Sequence, residues 1–345
     1  MLAPSFPIAR RARLALLGGA MLFVLGQLAL NVFIERWQPC IRYPEYGYHL
    51  TGLRRLLAAE PGRPLLLALG SSRTLMGFRP DVLPPYRTRS GAVPLAFNFG
   101  VTRCGPLLAL LQLRQLLAGG IRPVWLLLEI PPFMLAAPDG GVASLPVERM
   151  RWRDLRLLGE IAPSPFRPYR DWLTGRLVPV HADRKGFLCR YGPRFCAMEA
   201  FETHGFFRLC PDRFGWLPWG DANPTPERRR RWLAKLEPRY SLQVSPSCDR
   251  ILRRLLALCR EHAIPVVLCL MPEGDEFRRR YEPGGVLDAY LARLTRECSV
   301  RLIDARRWIA EEDFIDSHHL LRRGARRYTE RLGREVIRPL VAGNP

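Results

Sequence analysis

At 345 residues, with 48% hydrophobic and 25% charged side chains, the chain is long enough to bury a substantial core and too apolar to be wholly disordered. A net charge of +21 raises nucleic acid as a partner, but Lys185 and Lys235 are the only lysines and the arginines are scattered along the chain. The short clusters at Arg228 to Arg231, Arg278 to Arg280 and Arg322 to Arg327 are not interleaved with aromatics, as a single-strand stacking platform requires. They read as solvated helix faces, with an acidic membrane or anionic glycan surface as the alternative, and no nucleic-acid partner is expected.

The first element is Leu14 to Ile34, 21 residues without a formal charge. As a helix it is roughly 31 Å long, which matches a hydrocarbon core of about 30 Å. Arg10, Arg11 and Arg13 precede it, and Glu35, Arg36 and Trp37 follow. That asymmetry predicts a cytoplasmic N-terminus, a single transmembrane helix and an exported C-terminal domain. A cleaved signal peptide fits less well, because the run is long and Asn31 to Arg36 offers no small-residue cleavage site.

A polar and aromatic linker over 35–48 leads into residues 49–345, where apolar runs alternate with helical patterns. Strands are expected at Pro64 to Leu69, Pro94 to Phe99, Pro123 to Ile130, Ile264 to Leu270 and Val300 to Ile303. Uninterrupted apolar runs of this kind suit strands covered on both faces. Helices are expected at Pro106 to Ala118, Ser247 to His262 (capped by Ser245 or Ser247), Gly285 to Cys298 and Leu320 to Val341. The alternation implies an α/β fold with a parallel five-stranded sheet. Between about 136 and 245 the rhythm fails in a stretch rich in Pro, Gly, Arg and Trp, read as a mid-chain insertion of short helices and loops capping the sheet edge.

Two segments carry chemistry. Gly70-Ser71-Ser72-Arg73-Thr74 follows the first strand, at the sheet edge where open α/β folds bind ligands. A serine there is often only a helix cap. Far along the chain, Asp316-Ser317-His318-His319 precedes the last helix. An acid and an imidazole three positions apart can share one turn, the carboxylate orienting a base that activates a serine hydroxyl. His318 competes with His319 for that task, and Asp316 with both histidines is also a conceivable metal set, although no metal is expected. Glu129, at the end of the third strand, and Glu273, after the fourth, lie on the same edge. Either could position substrate or pair with Arg73, the ion pair being preferred.

Together these residues resemble the SGNH/GDSL hydrolase superfamily over roughly 60–130 and 246–340. The likeness is nearest to its exported, membrane-anchored branch of DltD-like and AlgX-like proteins. The resemblance implies a flavodoxin-like three-layer sandwich, with Ser72 as nucleophile, Asp316 as orienting acid and His319 as base. It also implies an oxyanion hole from the backbone of Ser72, Gly100 and Gly105. Asn98 and Gly100 fit the family's second block, but Arg103 stands where a glycine usually donates its N–H. The family's Gly-x-Asn-Asp block is absent, the third strand ending Leu128-Glu129-Ile130-Pro131-Pro132. The implied reaction is ester hydrolysis or O-acyl transfer on an acylated envelope carbohydrate or lipid, without a cofactor. Acyl group, acceptor and oligomeric state stay open. A scaffold protein that keeps the fold with an impaired oxyanion hole is the non-enzymatic alternative.

The nine cysteines, an odd number, show no zinc-like spacing. Cys259 and Cys269 read as core residues. One disulfide among Cys189, Cys196 and Cys210 is plausible for an exported domain.

Overall fold

The computed structural model describes residues 6–142, 145–191, 211–218, 223, 225–235, 242–279 and 285–343. Two compact units emerge: Met1–Gly47 with Pro146–Arg208, and Tyr48–Leu145 with Leu209–Pro345. The stretch read as a linker is helical, over Pro39–Arg42 and into Pro44–Ala59. The stretch read as a single insertion is divided: Pro146–Arg208 groups with the N-terminal helix, and its remainder with the sheet.

The first unit is built on a helix over Phe6–Trp37, within which Arg10–Trp37 is long and apolar enough to cross a membrane. Helices Trp152–Ile161, Arg167–Leu177, Pro179–Ala182 and Arg184–Tyr191 belong to the same unit. Cys196 and Cys210, and the Cys189 side chain, lie outside the described residues, and with them the expected disulfide.

In the second unit the five expected strands form one all-parallel sheet: β1 (Leu65–Gly70), β2 (Leu95–Gly100), β3 (Trp125–Glu129), β4 (Val266–Leu270) and β5 (Arg301–Asp304). Their spatial order is β2-β1-β3-β4-β5, so the chain reverses its direction of travel across the sheet between β1 and β3. Every residue of β1 is buried, and the other strands are mostly so, except the exposed edge strand β5. This is why β1 and β4 read as unbroken apolar runs, and β2 and β3 nearly so. The opposite edge, β2, is covered: Asn98 N–H donates to Phe214 O at 2.8 Å, within a turn held by Asp212. Trp216 then donates its indole N–H to Met76 O at 2.8 Å and buries its ring in the core.

In register, Gly70 of β1 lies opposite Gly100 of β2. A Cβ on Gly100 would fall 2.4 Å from Leu75 N and 2.7 Å from Leu75 Cα, backbone atoms of the short helix Ser72–Gly77 that follows β1. Only glycine lets strand and helix approach so closely. Gly100→Ala is therefore expected to cost about 3 kcal/mol, at the upper end of overpacking effects. Chemical denaturation checks this, and a cost within about 0.5 kcal/mol of zero, typical of surface changes, would mean the helix can shift freely.

Candidate active site

β1 ends in a turn whose two serines do different work. Ser71 caps the Ser72–Gly77 helix, its Oγ accepting from Arg73 N at 3.2 Å. Ser72, the first helical residue, directs its Oγ to His319 Nε2 at 2.8 Å. His319 Nδ1 in turn lies 2.7 Å from Asp316 Oδ2. The hydroxyl, imidazole and carboxyl thus form a continuous chain, with both ring nitrogens of His319 engaged. An imidazole so held can take the hydroxyl proton through Nε2 while the carboxyl fixes the tautomer at Nδ1.

The acid and imidazole meet because residues 313–321 close on themselves. Ile315 N bonds His319 O at 2.9 Å, Leu321 N bonds Asp313 O at 2.9 Å, and Phe314 bridges Leu320. Inside that loop Asp316 Oδ1 accepts from His319 N at 2.8 Å and His318 N at 3.2 Å. Ser317 makes the tight turn with φ of 70°, a left-handed conformation uncommon outside glycine.

His318 has a different place. Its ring stacks on Phe277 at 4.9 Å and lies 4.0 Å from His319, while its Nδ1 sits 3.3 Å from Asp316 O. Asp316, His318 and His319 bring ligand atoms within 4.8 Å of one another. A cation there would have to displace a contact that His319 makes to Ser72 or Asp316.

The two flanking acids separate. Glu273 lies 2.9 Å from Arg73 in the expected ion pair, both side chains fully buried. Arg73 also donates to Met271 O at 2.8 Å and Pro272 O at 3.1 Å, pinning the helix after Ser72 to the end of β4. Glu129 does not pair with Arg73 as expected. Its Oε2 accepts from Ser71 N at 2.7 Å and Thr74 Oγ1 at 2.6 Å, and its Oε1 from Ser71 Oγ at 2.8 Å. It is the buried clasp of the Ser72 turn, a role the sequence reading missed. The available signal was an acid ending a buried strand beside a turn with two hydroxyls.

Gly100 also differs from expectation, while Asn98 takes a supporting role. Asn98 Nδ2 donates to Thr74 O at 2.7 Å and Phe78 O at 2.6 Å, tying β2 to the same helix. Its Oδ1 accepts the Gly100 N–H at 2.9 Å. Gly100 was expected to supply an oxyanion donor, and that donor is already spent on Asn98. Three other backbone donors belong to the turn after β1 and the loop after β2. The Ser72 N–H, at the first helical position, has no acceptor within its helix. In the loop after β2, Arg103 has φ of 57°, the backbone conformation that favours glycine, and Gly105 precedes the helix Pro106–Ala118.

Burial sets the electrostatics. Burial alone would raise the Asp316 carboxyl, but attraction to His318 and His319, with hydrogen bonds from His319, holds it well below the usual carboxylate range. Burial pushes His318 down to about 3, against the pull of Asp316. Burial likewise pushes His49, packed on Phe97 and Phe99, down to about 4. Both histidines fold neutral, whereas the unfolded chain takes up a proton on each below about 6.5. The stability that depends on them is complete above about 6.5 and is lost as pH falls toward 4 and then 3. That linked to Asp316 is complete above its ordinary 3.8 and is lost only as pH falls through its lower folded value. Thermal unfolding is expected to move to lower temperature between pH 6.5 and 4, with His49 contributing on the order of 3 kcal/mol. His49→Leu should roughly halve that slope, His318 supplying the rest, and an unaltered slope would show that His49 does not contribute to it.

No protein-family model matches the chain, and neither does any curated protein.

Proposed function

We infer that the chain is a membrane-anchored SGNH-type serine esterase or O-acyltransferase, acting on an ester of an envelope carbohydrate or lipid. The observation that carries this reading is the unbroken contact from Ser72 Oγ through His319 to Asp316. The β2-β1-β3-β4-β5 order supports it, because Ser72 follows β1 at the point where the strand order reverses, the place where open α/β sheets bind ligands. The same order supports the flavodoxin-like three-layer arrangement. Arg10, Arg11 and Arg13 ahead of the apolar helix support a cytoplasmic N-terminus and an exported α/β unit.

In this reading Ser72 Oγ attacks the ester carbonyl as its proton passes to His319 Nε2, and Asp316 stabilises the imidazolium. The Ser72 N–H, with that of Arg103 or Gly105, receives the oxyanion. Collapse expels the alcohol, which takes the proton from His319. Water or a sugar hydroxyl then gives its proton to His319 and attacks the acyl-serine, and collapse breaks the acyl–Oγ bond as Ser72 Oγ takes that proton back, so the same residues serve hydrolysis and transfer.

One observation favours the scaffold reading instead: Gly100 N–H is held by Asn98, and each missing oxyanion donor costs roughly 100- to 1,000-fold in turnover. A fluorophosphonate probe separates the two, since only an activated serine reacts with it. Wild-type protein that stays unlabelled would favour the scaffold.

A further inference from the structure

The first unit contains an arrangement that the hydrolase reading does not use. Gln27 and Asn31, four residues apart and so on one face of the apolar helix, are its polar side chains over the second half of the uncharged run. Both are taken up by the helices that group with it. Gln27 Oε1 accepts the backbone N–H of Val180 at 3.4 Å, and Asn31 Nδ2 donates to Arg176 O. Asn31 Oδ1 accepts from Arg42 at 2.8 Å, and Arg176 pairs with Glu35 while its guanidinium covers the Trp172 ring at 4.8 Å.

These contacts fix a depth. Gln27 lies seven residues, about 10 Å, inside the C-terminal end of the uncharged run Leu14 to Ile34. If Arg167–Leu177 and Pro179–Ala182 stood in water, the lipid-covered part of the anchor would stop near Gly26. Leu14 to Gly26 would then span about 20 Å, too short for a core of about 30 Å. The two helices and the end of the anchor must therefore share the same depth. Their surface fits such a place: Phe166, Leu173, Leu177 and Val180 are exposed at 79%, 52%, 58% and 49%. Trp152 and Tyr169 meet edge to face beside Trp172, and Trp37 is exposed at the anchor's end, the side chains found at membrane interfaces. Arg167 and Arg170, each paired with Asp171, lie in the first turns of their helix, ahead of Leu173 and Leu177.

We propose that Arg167–Leu177 and Pro179–Ala182 form an in-plane membrane element, seated on the anchor in the leaflet on its C-terminal side, with Leu173, Leu177 and Val180 facing lipid. This rests on Leu14 to Ile34 being a transmembrane span. The polar groups of Gln27 and Asn31 are then satisfied inside the bilayer by the helices that share it, which removes the cost of leaving them in hydrocarbon.

The test places an environment-sensitive fluorescent amino acid at one position of the full-length protein: Leu22 in the span, Leu177, or exposed Arg250 in the second unit as a control. The protein is reconstituted in phosphatidylethanolamine–phosphatidylglycerol vesicles, with and without doxyl-labelled phospholipid. The proposal expects quenching at Leu22 and Leu177 alike and none at Arg250. Quenching at Leu22 with none at Leu177 overturns it and leaves the anchor standing. Absence of quenching at Leu22 removes the anchor itself, and the proposal with it.

Discussion

Ser72→Ala is expected to abolish fluorophosphonate labelling of the detergent-solubilised protein and to lower ester turnover by on the order of 10⁴- to 10⁶-fold. The hydroxyl at 2.8 Å from His319 Nε2 is the one in the turn engaged by an imidazole. Ser71 Oγ is committed to Glu129 and to Arg73 N. Ser71→Ala should therefore lose stability yet keep its labelling, which separates the adjacent serines. His319→Ala removes the base and should match Ser72→Ala. His318→Ala should label at a rate within about 10-fold of wild type, since its ring is stacked on Phe277 and does not bond Ser72. Asp316→Asn should reduce labelling by about 10⁴-fold, because an amide there permits the wrong imidazole tautomer. Persistence of the label in Ser72→Ala would end the hydrolase reading.

The second large effect falls on stability. Glu129→Ala deprives Ser71 N, Ser71 Oγ and Thr74 Oγ1 of their acceptor in a buried place. Each orphaned donor costs about 1–3 kcal/mol, and the vacated volume adds to this. Some relief comes from rotation of the two hydroxyls, so a total of about 4 kcal/mol is expected. Glu129→Gln keeps the volume and one acceptor but turns an amide N–H₂ toward a donor, and about half of that loss should remain. Urea unfolding measures both, and a Glu129→Ala cost below about 1 kcal/mol would mean the turn does not depend on this clasp. Labelling of Ser72 should also slow in both variants, because the turn that aims it is held by the same contacts.

The strands were legible because burial on both faces writes itself into sequence as unbroken apolar runs. Expected Pro64 to Leu69 and observed Leu65–Gly70, or Pro94 to Phe99 and Leu95–Gly100, differ by one residue. Ser245 was one of two candidate caps and is the one that accepts from Cys248 N, at 3.1 Å. The proximity of Ser72 and His319 was legible only through a resemblance, since nothing local in either segment encodes the other. Glu129 was misjudged because its partner depends on which strands are neighbours. β3 lies beside β1, so its last side chain meets the Ser71 turn, while Glu273 leaves β4 on the side where Arg73 arrives. Gly100 was misjudged for a similar reason. Its N–H seemed free until Asn98, two residues earlier, turned back to take it. The grouping of Pro146–Arg208 with the first helix was invisible, because Gln27 and Asn31, which bond Val180 and Arg176, look in sequence like ordinary polar interruptions of an apolar helix.

The Ser72–His319 contact joins residues 247 positions apart. Pairing so distant in sequence forms late, since the intervening loop entropy must be overcome first. During synthesis, at about 5–20 residues per second, the hydroxyl emerges many seconds before its base exists. On the hydrolase reading, any chemistry at Ser72 is therefore silent in the nascent chain, although the apolar helix Phe6–Trp37 has already been made. On the same reading, a product clipped ahead of Asp316 would keep the apolar helix and Ser72 but lose the imidazole that activates the hydroxyl.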